Sequence, residues 1–231
     1  MGIAESHNQT TERFSTELRE PVRLAGTTLD GHCHICAFFH SLDEEYRVLL
    51  PFIKEGLERG EKAFHVVDPK LREEHLRHLR SVGIDAAATE QSGQLELRRW
   101  QDAYLRDGHF DQDKMLALLQ SVLDEAKQQG FPLTRLVAHM EWALEDRPGV
   151  NDIIEYETRL NYFLPRYRDP VVCVYDLAKF GADIVIDIMR THPMVIIGGV
   201  LLENPFFVPP DQFLRELRGR EGRRTLGAAS D

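Results

Sequence analysis

The sequence predicts an α/β domain with a mostly parallel central sheet and helices on both faces. Two observations carry this. Short apolar runs alternate with longer amphipathic segments along most of the 231 residues, which is the pattern of strands and crossover helices. The runs themselves ("HICAFF", "KAFHVVD", "PVVCVYDL") are apolar almost throughout, as strands covered on both faces must be.

Taken in order, residues 1–25 read as a flexible leader and residues 26–218 as one domain, with 219–231 a disordered tail. The first strand is "HICAFF", His34–Phe39. A helix follows over about 43–59; Tyr46, Leu49, Leu50, Ile53 and Leu57 form its apolar stripe and Gly60 its stop. "KAFHVVD" is the second strand, and "KLREEHLRHLRSVG" a helix ending at Gly83. A less regular stretch contains a short strand at Leu95–Arg98. A helix over about 111–129 then stops at Gly130. "RLVAHMEW" is a strand, "VNDIIEYETRLNYFLPRY" a helix and "PVVCVYDL" a strand. "ADIVIDIMRTH" is a helix, and "PMVIIGGVL" one further strand. A Pro-rich extended piece and a short helix, "FLRELRGR", close the domain.

Composition narrows the function. A net charge of −10 opposes direct nucleic-acid binding, which needs a cationic face. No apolar run reaches the roughly 20 residues of a membrane span, and the N-terminus lacks a secretory h-region, so a cytoplasmic location is expected. Three cysteines do not make a disulfide scaffold.

In an open parallel sheet, ligands bind beyond the carboxyl ends of the strands. Six residues belong to loops or strand ends there: Phe39, His40, Glu141, Trp142, Tyr175 and Asp176. Phe39, Trp142 and Tyr175 would supply apolar contacts, and Glu141, Asp176 and His40 polar ones. The opening loop, "FFHSLDEE", has neither the glycines nor the lysine that wrap a phosphate. Ser41 stands where an N-cap belongs and Glu44 lies three residues on, a capping box; Asp43, Glu44 and Glu45 satisfy the helix dipole with negative charge. Such a helix start repels phosphate and suits a neutral, cationic or apolar ligand.

"HCHIC" places Cys33 and Cys36 in Cys-x-x-Cys spacing beside His32 and His34, but within a strand instead of at a helix N-terminus, so a redox pair is disfavoured. No second Cys or His pair completes a zinc set by spacing, although Cys173 and His192 can approach in space. The expectation is therefore no metal, no cofactor and no catalytic residue. Cys36 and Cys173 read as small apolar residues on neighbouring strands. His192 reads as a hydrogen-bonded structural histidine. Glu141 and Asp176 as an acid–base pair of a hydrolase or transferase, with or without a metal, form the enzymatic alternative, and a pure interaction scaffold with a self-filled pocket the third reading.

Several stretches, in order, resemble one family: "HICAFFHSLDEEYRVLLPFIKEGLERGEKAFHVVD", "SGQLELRRWQDAYLRDGHFDQDKML", "MEWALEDRPGVNDIIEYETRLN", "PVVCVYDL", "THPMVIIGG" and "NPFFVPPDQFLREL" are similar to the MEDS sensory domain, over about 32–217. The resemblance implies a three-layer fold like that of the RecA/KaiC ATPases but without their phosphate loop. It also implies a role in sensing small hydrocarbon derivatives for transcriptional or two-component signalling. It makes His34, Cys36, Glu44, Tyr104, Arg135, Tyr156, Glu157, Asn161 and His192 family-motif positions. Neither flank looks long enough for a DNA-binding or kinase unit, so the expected output is a separate partner, such as a kinase, an anti-sigma factor or a regulator, or a homo-oligomer. "FFVPP" with the basic helix beside it is either a docking segment or a strap on its own domain.

Overall fold

In a computed structural model, the structure describes residues 21–29 and 34–228, with side chains to 220. The Cys33 and His32 readings lie outside the described residues. The elements are β1 (Arg23–Leu24), β2 (Thr27–Thr28), β3 (His34–Phe39), α1 (Leu42–Glu58), β4 (Lys62–Val67), α2 (Arg72–Ser81), α3 (Ala86–Gln91), β5 (Leu95–Arg99), α4 (Gln112–Gln128), β6 (Thr134–His139), α5 (Ile153–Phe163), β7 (Val171–Asp176), α6 (Ala182–Thr191), β8 (Met194–Ile197), β9 (Val200–Glu203) and α7 (Pro210–Ala228).

The main sheet has seven strands in the order β5-β4-β6-β7-β3-β8-β9, all parallel except the last pair. The fold is therefore the three-layer α/β sandwich that the sequence predicts. Alternate side chains of the central strands feed two cores. Cys36, Phe38, Leu136, Ala138, Cys173 and Tyr175 pack under α4, α5 and α6. Ile35, Ala37, Phe39, Val137, Val172 and Val174 pack under α1, α2 and α3. Cys36 and Cys173 are register partners on adjacent strands, both buried and both free thiols.

Three boundaries differ from expectation. The leader's last residues form the β1–β2 hairpin, because Leu24 is buried in the core and Arg59 of the α1 C-cap donates to Pro21 O at 3.1 Å. The "PMVIIGGVL" run is not one strand but the β8–β9 hairpin. Gly198 and Gly199 turn it with φ of +60° and +76°, a pair that L-residues with side chains rarely supply. The closing helix is not short, nor is the tail from 219 without structure, since α7 runs on to Ala228. It is held as a strap: Phe213 is fully buried, Arg190 lies over its ring at 4.4 Å, and Arg190 and Arg220 pair with Glu216 and Asp187 at 2.6 Å each.

Candidate functional site

The carboxyl-end rim is built as the cap argument requires. Ser41 Oγ accepts from Glu44 N at 3.3 Å, and Glu44 Oε2 accepts from His40 N at 2.9 Å. One donor at the start of α1, Glu44 N, is thus taken by the Ser41 side chain, and the Glu44 carboxylate turned back on His40 N adds negative charge where a phosphate would approach. His40 itself is exposed.

Phe39, Glu141, Tyr175 and Asp176 line one depression with Ser41, Leu42, Glu45 and Val174; its free volume is about 10 Å³, the room of a single water. Lys179 stands at its edge, 3.1 Å from Asp176 Oδ2 and 3.4 Å from Glu141 Oε1. A lysine thus bridges the two carboxylates proposed as an acid–base pair. The other Glu141 oxygen, Oε2, is buried without a hydrogen-bond partner.

Trp142 does not join this depression. It is fully buried, stacked on Tyr104 with ring centroids 4.4 Å apart and packed on Phe110 at 4.5 Å; Tyr156 meets both of these partners edge-on. The motif aromatics Tyr104 and Tyr156 are core residues here. Arg135 lies at the opposite, amino end of β6, buried against Glu61, Glu55 and Phe52 O.

Beneath α5, five further motif positions converge. His34 Nε2 and His192 Nε2 lie 3.1 Å and 3.3 Å from Glu157 Oε2. Cys173 Sγ lies 3.7 Å from the same oxygen and 3.8 Å from His34 Nε2. Tyr175 Oη donates to Glu157 Oε1 at 3.3 Å. Asn161 sits against His34 Nδ1 at 3.1 Å, and the motif thiol of Cys36 donates to Met194 O at 3.6 Å alongside. His34, Glu157, Cys173 and His192 are all buried, with candidate ligand atoms within 4.8 Å of one another. Burial alone would raise the Glu157 carboxyl; hydrogen bonding to His192 and His34, with their charge, holds it at about 2 instead. Burial and the neighbouring His192 lower His34. Burial, reinforced by Glu157, pushes the Cys36 and Cys173 thiols well up.

A second polar cluster, unforeseen in the sequence, lies on the other face near the carboxyl ends. His139 Nε2 meets Glu45 Oε1 at 2.7 Å. His65 Nδ1 meets His75 Nε2 at 3.0 Å, His75 Nδ1 meets Tyr46 Oη at 2.8 Å, and Tyr46 stacks on His78 at 3.8 Å. Burial lowers His139, but the Glu45 charge and hydrogen bond overcome it and leave it raised to about 9. Burial, then the His139 charge, pushes His65 down to about 3. His75 is pushed down by burial and by the surrounding cations. His65 and His139 are single histidines in their strands, and His75 and His78 share α2 at i,i+3, so no spacing announces that all four meet. Only the sheet register and the seating of α1 and α2 assemble it.

An ATPase-like sheet whose phosphate-binding helix start is capped by its own side chains, with polar groups gathered inside instead, defines a RecA-like domain turned away from the phosphate loop. The chain belongs to the family described as MEDS, the methanogen/methylotroph, DcmR sensory domain, whose model matches residues 33–193. The chain is similar to the transcriptional repressor DcmR of Methylorubrum extorquens, 28% identical over 175 residues covering 74% of this chain. It spans 62% of that repressor's length. In fold it is similar to a KaiC-like protein from Pyrococcus horikoshii, with a TM-score of 0.52, 18% identity, and coverage of 74% of this chain and 73% of that one. Membership in this family makes the matched region a sensory domain. Among the described residues no helix is long and apolar enough to cross a membrane.

Proposed function

We propose that this chain is a non-catalytic receptor for a small, weakly polar organic molecule of the hydrocarbon-derivative class, and that it passes the signal to a separate regulatory protein. The observation that carries this reading is Glu141 Oε2, a buried acceptor with no donor, on a residue that lines a water-sized depression at the carboxyl end of the sheet. A buried carboxylate oxygen left without a donor costs about 1–3 kcal/mol, so a ligand O–H or N–H reaching it recovers that energy. Phe39, Leu42 and Val174 line the depression with apolar groups, and Lys179, which holds Glu141, would have to swing aside to free that carboxylate. Phosphate is a poor candidate because the start of α1 is already capped and acidic. The Lys179 bridge also weakens the enzymatic reading, since it occupies both carboxylates.

A thermal-shift series tests this with short alcohols, amines and halogenated compounds beside Mg-ATP. A donor-bearing compound at about 100 times its Kd should stabilise the chain by about 2.7 kcal/mol. Glu141→Ala should lose that response. If Mg-ATP gives the shift, or if the variant responds unchanged, the seat is elsewhere.

A further inference from the structure

Beneath α5, the geometry points to a divalent transition-metal site, zinc by its ligand set, held by His34, Glu157, Cys173 and His192. The argument starts from hydrogen bonds around the cluster. Asn161 Nδ2 is committed to carbonyls, at 2.7 Å to Thr191 O and 3.2 Å to both Glu157 O and Thr158 O. Its Oδ1 therefore faces His34 Nδ1, which must donate. His192 Nδ1 lies 2.9 Å from Ile188 O and 2.8 Å from Thr191 Oγ1; with that hydroxyl donating to Ile188 O at 2.8 Å, Nδ1 carries its proton and donates as well. With both rings neutral in these tautomers, each turns a bare Nε2 lone pair toward the Glu157 carboxylate, 3.1 and 3.3 Å away.

Lone pairs of two nitrogens facing one carboxylate oxygen repel unless a cation lies among them. One proton serves one ring and leaves the other Nε2 bare. Two protons place like charges on rings whose centroids are 4.0 Å apart, away from water. A single dication serves both. With Glu157 as carboxylate, Cys173 as thiolate and two neutral imidazoles, the net charge of the site is zero, which a dry interior favours.

The spacing agrees. Zinc bonds of about 2.0–2.3 Å in a tetrahedron give ligand–ligand edges of about 3.3–3.6 Å. Four of the six edges are 3.1, 3.3, 3.7 and 3.8 Å, and all six lie within 4.8 Å, so a small inward shift of the ligands closes the set. Surrounding groups are those that metal sites use to orient ligands: an amide and a carbonyl on the two Nδ1 positions, and Tyr175 Oη on the second carboxylate oxygen. All four ligands are essentially sealed from solvent, at 0–2% exposure, so the site is closed and structural instead of a place for a substrate. It draws its ligands from β3, α5, β7 and the end of α6, and would lock α5 and α6 onto the sheet. Binding a thiolate releases the Cys173 proton to solvent.

The test refolds the untagged full chain from denaturant with Zn²⁺, with Co²⁺, or with chelator. We expect one equivalent of zinc by mass spectrometry of metals, a higher thermal midpoint than the chelator-refolded chain, and a thiolate-to-cobalt charge-transfer band. Cys173→Ser should lose that band while Cys36→Ser keeps it. Asn161→Leu should bind zinc about 10–100-fold more weakly, as outer partners of metal ligands do. A wild-type chain that retains no zinc or cobalt above the buffer blank overturns the proposal. So does cobalt uptake whose spectrum is unchanged by Cys173→Ser, because the metal then sits elsewhere.

Discussion

Glu45→Gln isolates the buried ion pair with His139. The two groups are 2.7 Å apart with side chains only 6% and 4% exposed, so water screens them little. Glutamine keeps the shape and one acceptor oxygen while removing the charge. His139 is held at about 9 in the folded chain, against 6.5 for an unperturbed histidine. That elevation corresponds to about 3 kcal/mol. The sign follows from the direction of the shift. The folded chain binds the proton more tightly, so the stabilisation is fully present below about pH 6.5 and is lost as pH rises through about 9. Urea titrations of wild type and variant at pH 6 and pH 9.5 should differ by about 3 kcal/mol at the lower pH and by much less at the higher one. A deficit of the same size at both pH values would refute the charge coupling and leave only a packing defect.

Two further outcomes follow from neighbouring groups. His65, lowered to about 3, takes up protons mainly in the unfolded chain, so stability should fall as pH drops below 6.5, by about 2 kcal/mol at pH 5 from this residue alone. His75 adds to that loss, and His139 offsets only about 1 kcal/mol of it; a urea midpoint at pH 5 equal to or above that at pH 7 would contradict the neutral histidine chain. Gly56→Ala would ordinarily stabilise a helix by about 1 kcal/mol. Here the new Cβ would lie 2.5 Å from Arg135 Nε and 2.6 Å from its Cδ, and Arg135 is pinned by Glu61, Glu55 and Phe52 O, so a loss of about 1–3 kcal/mol in thermal unfolding is expected instead.

The sheet was legible because buried parallel strands leave continuous apolar runs, and β3, β4, β6 and β7 all match such runs closely. The α1 cap was legible because its chemistry is local: Ser41 and Glu44 are three residues apart. The β8–β9 hairpin was misread although its signal was present, since Gly198-Gly199 inside an apolar run is a turn and not a strand interior. Trp142 was assigned to the rim from its place after β6, but burial is set by what packs above it, and Tyr104 and Phe110 come from a stretch with little periodicity. As a fully buried ring, Trp142 belongs to the core. The cluster under α5 joins residues up to 158 positions apart in the chain, from His34 to His192. Family resemblance supplied most of its members, yet no spacing could supply their convergence.

Both polar clusters share one cause in the strands. Side chains alternate along each strand, so β3 turns His34, Cys36 and Phe38 toward α5, while β6 turns Arg135, Val137 and His139 toward α1. Replacing a buried charged group and its partner together by apolar residues of similar volume is often neutral or stabilising by about 1–4 kcal/mol. A core optimised for stability alone would not keep Glu157 between two histidines, nor Glu45 against His139. In ATPases of this architecture the reactive end is the open phosphate loop. Here Ser41 and Glu44 close that end with the chain's own atoms, and the charged chemistry lies inside the two cores. An ion held in the cluster under α5 would act on how α5 and α6 seat against the sheet, while the unpaired acceptor of Glu141 stays at the carboxyl end. A sensor needs that coupling: occupancy of a site read out as the position of an element on the surface.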